Sequence, residues 1–238
     1  VLLAEQAEAA EVLVITKADL VSSDALRLVL AVLAELNPAA TVAVARHGRV
    51  RGVDLLEGER LELARENLPK PKNDVLDPAA EERAAVGVSS YVYRAWRPFH
   101  PARLRTHLLQ GWSGVIRSRG IFWLATRMSE VGAWSAVGPV WQTSRGGFWW
   151  SALEQQGWPI PASIERAVRA QWREPFGDRR QEFTLIGLDL DTRGLKSAFD
   201  ACLLTAEELD AGPPTWQGLV DPFPDWSPSA AESLRAAP

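Results

Sequence analysis

The sequence predicts a short α/β segment followed by a larger α+β domain with a mainly antiparallel sheet, and three patterns carry that expectation. The run Val12-Leu13-Val14-Ile15 is too short for a helix and rich in β-branched residues. A second such run, Thr41–Ala45, follows after one helix-length of sequence, as parallel strands joined by a crossover helix do. Beyond residue 86 the apolar residues alternate, in VGVSSYVYRAW (86–96) and GVIRSRGIFWLAT (114–126), the period of strands with two unlike faces. Between these regions, residues 57–85 mix charge with Pro-Lys-Pro and keep no apolar period, which marks a linker.

Taken in order, residues 2–10 predict a helix with Leu3, Ala7 and Ala10 on one face, and 11–16 a strand buried on both faces. Ser22 or Ser23 caps a helix that carries Leu26, Val29, Leu30, Leu33 and Leu36 and stops at Asn37-Pro38. Two strands in about 45 residues are too few for a complete doubly wound domain, so residues 1–58 read as the end of one. Residues 59–85 form the linker, 86–226 the second domain and 227–238 a frayed tail. Within the second domain, helices are predicted at 101–110 behind Pro101, at 161–172 and at 192–203. Short strands are expected around 131–150, with RQEFTLIGLDL (181–191) as the last. The segment DPFPDW (221–226) is expected to dock on the domain through its aromatics, and no repeat of fixed period is present.

Composition narrows the function classes. The 238 residues are 47% hydrophobic and 24% charged, ordinary for a globular protein. A formal net charge of -4 argues against nucleic-acid or membrane binding through bulk charge. The lone Cys202 excludes an internal disulfide or a Cys-x-x-Cys metal framework and fits a reducing cytoplasm. No basic leader precedes an apolar stretch, and no apolar run approaches the roughly 18 residues of a bilayer span, so neither secretion nor membrane insertion is expected.

The motif that carries chemistry is Thr16-Lys17-Ala18-Asp19, at the end of the first strand. A carboxylate there can accept two hydrogen bonds, from the N1–H and the exocyclic amine of guanine, and adenine has no such pair of donors. Lys17 can lay its stem along the base while Thr16 ties neighbouring loops through its hydroxyl. The plainer alternative makes these residues a turn before a capped helix.

Several blocks in a fixed order raise the first reading. LLAEQAEAAEVLVITKADL, LAELNPAATVAVARHGRV, VYRAWRPFHPARL, GVIRSRGIFWLATR, RRQEFTLIGLDLD and DACLLTAEEL, followed by DPFPDW, resemble the CobW-like branch of P-loop GTPases. The resemblance implies that 1–58 is the C-terminal part of a parallel-sheet GTPase domain and 86–226 a CobW C-terminal domain. It implies a GTP-hydrolysing metallochaperone that handles zinc, with GTP or GDP and Mg²⁺ as cofactors and a client metalloprotein as partner. In it Thr16, Lys17 and Asp19 read the guanine. G-x-x-x-x-G-K-[ST], a Walker-B Asp ahead of residue 11 and Cys-x-Cys-Cys are all missing from the sequence. This chain alone is therefore expected to be inactive. The competing reading is a stand-alone CobW-type module serving as a protein or RNA adaptor.

Two further sets of residues stand out. His100 and His107 lie seven apart on a predicted helix and, with Cys202, are candidates for a zinc site. Capping, packing and an inert buried thiol are the simpler roles. Between Val86 and Ser129 there is no acid but seven arginines, of which Arg97, Arg103, Arg105, Arg117 and Arg119 could form a surface for an anionic partner. Internal pairing is the alternative. The eleven tryptophans are expected in the core and at interfaces, and no Gly-x-Ser-x-Gly elbow or catalytic triad can be drawn.

Overall fold

The computed structural model describes residues 1–50, 85–153 and 162–226. Residues 51–58, the expected linker up to 84 and the tail 227–238 fall outside them. The chain divides into two compact units. One comprises residues 1–91, 114–117 and 184–190; the other comprises 92–113, 118–183 and 191–238.

The first unit begins with helix α1 (Leu2–Ala9), strand β1 (Val12–Ile15) and a 3₁₀ turn at Ala18–Leu20. Helix α2 (Ser23–Leu36) then leads to β2 (Thr41–Arg46) and β3 (Arg49–Val50). The Ser22 hydroxyl caps α2 by accepting from the Ala25 N–H at 3.2 Å. Asn37, which ends α2, donates through Nδ2 to the carbonyls of Ala7 at 2.9 Å and Ala10 at 2.8 Å. One side chain thus satisfies carbonyls that the end of α1 leaves open. The strands order as β1-β2-β3; β1 and β2 are parallel with Ile15 opposite Val44, and β2 and β3 form a hairpin. The expectation that β1 is buried on both faces does not hold, because Val14 is 40% exposed. Among the described residues a single helix, α2, crosses between β1 and β2, and one helix covers one face of a sheet.

The five-stranded sheet orders as β4-β8-β5-β6-β7, built from Val88–Ala95, Gln181–Leu188, Val115–Phe122, Glu130–Val137 and Val140–Phe148. Strands β6 and β7 form a long antiparallel hairpin with a register shift between Val131 and Gly132. Helices α3 (Pro101–Gln110) and α6 (Thr192–Cys202) pack together. They bury Pro101, Leu104 and Leu108 on one helix and Leu195, Phe199 and Cys202 on the other, residues spaced three and four apart as an amphipathic helix requires. Phe199 lies 4.8 Å from Tyr93 and 5.0 Å from Phe183, ring centre to ring centre. A second cluster gathers Trp123, Ala125, Val131, Trp149, Leu204 and Trp216, so several tryptophans do serve the core.

The run 114–126 does not continue as one strand. Fully buried Gln181 accepts from the Trp123 N–H at 2.8 Å and donates to the carbonyls of Trp123 at 2.9 Å and Arg97 at 2.8 Å. That amide satisfies the Trp123 N–H and shares the Trp123 carbonyl with the Phe99 N–H, so buried backbone groups stay paired and the chain can leave the ladder after Phe122. Helices α4 (Trp150–Leu153) and α5 (Ala162–Ala170) follow the hairpin. After α6 come α7 (Ala206–Asp210) and α8 (Gly212–Trp216), which the sequence reading did not place. The start of α7 is a capping box between Thr205 and Glu208. The segment 221–226 docks as expected: Asp221 accepts from Thr126 at 2.6 Å and from Arg127 Nε at 2.8 Å. Phe223 and Trp226 are buried against Phe122.

At Gly132 an added Cβ would lie 2.5 Å from the ring of Phe122, which is fully buried. Gly132→Ala should therefore destabilise the protein by about 1–3 kcal/mol, the usual effect of overpacking, read from the urea midpoint. An unchanged midpoint would show that the ring can yield.

Candidate functional site

The loop that leaves β1 is shaped by its backbone. Lys17 adopts a left-handed conformation (φ 60), Ala18 is buried, and Thr16 and Lys17 face solvent. Parallel pairing of Ile15 with Val44 brings this loop beside the β2–β3 turn. There His47 (φ 48) and Gly48 (φ 74) occupy the left-handed region, as a two-residue hairpin turn demands. The His47 backbone N–H donates to Asp19 Oδ1 at 2.9 Å, and His47 Nδ1 lies 3.4 Å from Oδ2. The Asp19 side chain is 17% exposed and the His47 side chain 83%.

This geometry orients a carboxylate and keeps it charged. The N–H of His47, followed by Asp19's own backbone N–H, holds the Asp19 carboxyl below the usual carboxylate range, with a smaller opposing effect of burial. Each carboxylate oxygen can accept more than one donor, so Asp19 retains acceptor capacity for a planar pair of N–H groups such as guanine offers. Thr16, Lys17 and Asp19 are brought together on one loop, and the structure adds His47, to which the sequence reading gave no part here. The signal was His47-Gly48 between two strand-like runs.

The metal candidates have other roles. His107 Nε2 accepts from the Trp112 indole at 3.0 Å, and its ring meets the edge of Phe199 at 5.0 Å. Burial lowers its pKa, consistent with a neutral imidazole. His100 stands at the N-cap of α3, donating its backbone N–H to the Cys202 carbonyl at 2.8 Å. Burial, then Arg103, lowers its pKa. The Cys202 thiol donates to the Ala198 carbonyl at 3.2 Å and is pushed up to about 11 by burial. Among the described residues no three His, Cys, Asp or Glu side chains gather as a metal-binding group.

Of the five arginines expected on one surface, most have internal acceptors. Arg97 donates to the Leu204 carbonyl at 3.1 Å. Arg103 grips Glu208 with two nitrogens and reaches the Leu203 carbonyl. Arg117, nearly buried, makes two hydrogen bonds to Glu8, at 2.7 and 2.9 Å, and Arg119 also has a partner. Arg105 differs: its guanidinium lies 4.4 Å from the centre of the Trp141 ring.

Residues 88–203 match the family model described as the cobalamin synthesis protein cobW C-terminal domain. This segment belongs to the CobW C-terminal domain family. Among curated proteins, the chain is 29% identical over 227 residues to the zinc-regulated GTPase metalloprotein activator 1 of Dictyostelium discoideum, covering 93% of this chain and 48% of that protein. It is 32% identical over 224 residues to a zinc chaperone of Mycobacterium tuberculosis, covering 93% and 53%. The chain thus spans about half the length of the curated relatives it matches. A Zn(II)-bound YjiA GTPase from E. coli is similar over 84% of this chain and 54% of that one, with a TM-score of 0.42 and 18% identity.

The depressed Asp19 carboxyl sets a pH dependence. Its contribution to stability is complete above the ordinary value of 3.8 and is lost as the pH falls through the lower folded-state value. NMR of the Asp19 carboxyl carbon should give a midpoint below 3.8, and His47→Gly, which keeps the N–H, should leave it low. A midpoint at or above the ordinary value would mean that the hydrogen bond is not made. For Cys202, a thiol near 11 instead of 9.0 predicts alkylation of the folded protein about 100-fold slower than of a free cysteine, since the thiolate is the nucleophile. Cys202→Ser should leave zinc stoichiometry unchanged; a lost equivalent of zinc would restore Cys202 as a ligand.

Proposed function

We propose that this chain is the base-reading and C-terminal portion of a GTP-binding, GTP-hydrolysing metallochaperone that handles zinc for a client metalloprotein. The observation that carries the reading is the Asp19 carboxylate, oriented by the His47 N–H at the end of a parallel strand. Support comes from the CobW C-terminal domain at 88–203 and from relatives whose names include GTPase, zinc and chaperone. In this reading Asp19 accepts the N1–H and amine of guanine, Lys17 lies along the base, and Thr16 ties the loop. GTP with Mg²⁺ would supply the phosphoryl chemistry; the residues of this chain select the base.

The competing adaptor reading keeps the CobW-type domain and dispenses with nucleotide. The two separate in the protein that carries this chain together with any phosphate-binding segment. Asp19→Ala should reduce GTP affinity by about 10- to 100-fold, because hydrogen bonds to charged groups are worth ~1.5–3 kcal/mol. ATP affinity should barely change. Equal selectivity for GTP over ATP in wild type and variant would remove Asp19 from the site, and the absence of GTP binding by the wild type would favour the adaptor.

A further inference from the structure

Within the acid-free stretch, Arg105 is the arginine whose donors are still unclaimed. No carboxylate, carbonyl or hydroxyl among the described residues accepts from its guanidinium, and one nitrogen, Nη1, is buried without an acceptor. Nη1 is covered by the protein, whereas Nε and Nη2 are neither fully buried nor paired among the described residues, so those two donors are open to an acceptor brought by another molecule. The guanidinium is also held firmly. Arg105 lies over Trp141, Trp141 stacks on Trp134 at 5.5 Å and 19°, and Trp134 is fixed through its indole N–H to the Ser118 hydroxyl at 2.8 Å. Leu109, one turn beyond Arg105 on α3, is 60% exposed and shares that side of the helix.

We propose that Arg105 on Trp141, with Leu109 beside it, is a docking point for an acidic segment of a protein partner that also carries an apolar side chain. The guanidinium fork matches a carboxylate with two parallel hydrogen bonds, and a desolvated Arg and Trp are the residue types that dominate interface energetics. Nucleic acid is the poorer fit. Phosphate backbones are bound by several cations together, whereas the neighbouring Arg97 and Arg103 have internal acceptors and the whole chain carries a net charge of -4.

The test is fluorescence anisotropy on the full-length protein, with and without nucleotide, so that the result does not depend on the guanine reading. The probe is a fluorescein-labelled peptide, Gly-Leu-Glu-Glu-Leu-Asp-Gly, set against its Gln/Asn counterpart and a twelve-residue oligouridine. The acidic peptide should bind at least about tenfold more tightly than the amide version. Arg105→Ala should weaken it by a similar factor, as truncation of an interface arginine does. Arg105→Lys should recover only part of the loss. Arg105→Ala loses its contact with Trp141 but no hydrogen bond within the described residues, so the urea midpoint should fall only slightly and the protein stay folded; Leu109→Glu, at an exposed position, serves as a second variant and should also weaken the peptide. Equal binding of acidic and amide peptides, or no effect of either substitution, overturns the proposal. Oligouridine captured through Arg105 in place of the peptide overturns it in favour of RNA.

Discussion

The arginines of residues 86–129 impose the condition around which much of this molecule is arranged, because a stretch with seven arginines and no acid must find its acceptors elsewhere in the chain. Glu8 comes to Arg117, Glu182 to Arg94, Glu208 to Arg103 and Asp221 to Arg127. Each pair ties a distant segment to the strand, helix or turn that carries the arginine. Their value is unequal. Arg117 and Glu8, with side chains only 5% and 11% exposed, must be matched closely, since removing one partner of a buried pair leaves an uncompensated charge, a loss of ~3–5 kcal/mol. The more exposed Arg103–Glu208 pair contributes less through charge and more through the capping box it shares with Thr205.

The same condition explains why the C-terminal segment joins the domain. Burial raises the Asp221 carboxyl, yet Arg127, Thr126 and the Phe223 N–H together outweigh it and hold it below its ordinary value. Arg127 also reaches the carbonyls of Phe223 and Pro224 and lies 4.0 Å from the centre of the Trp226 ring. One guanidinium thus holds Asp221, Phe223, Pro224 and Trp226, and the rings of Phe223 and Trp226 close over Phe122.

Much of this was legible in the sequence. The helix at 101–110 was marked by Pro101, and the first two strands by short runs rich in β-branched residues. Three features resisted, each for a physical reason. Exposure of Val14 depends on how many elements cover a sheet, which no local pattern encodes. The end of β5 at Phe122 is set by Gln181, a residue 58 positions away from Trp123. The fate of each arginine depends on long-range partners, so the cationic surface read from composition was resolved only when the acceptors were located. At the candidate site the Thr16–Asp19 loop was readable as a motif. The hydrogen bond from His47 was not, because it arises from the left-handed turn and the parallel register acting together.

The proposed function rests on Asp19 as the reader of the base, and exchanging the chemistry of that side chain tests it most directly. In Asp19→Asn an acceptor pair becomes one donor and one acceptor, which matches xanthine, with its N1–H and O2, and no longer matches guanine. Affinities of the full-length protein for GTP and XTP, measured by calorimetry in wild type and variant, should therefore cross, with GTP preferred by the first and XTP by the second. A variant that still prefers GTP would contradict the account.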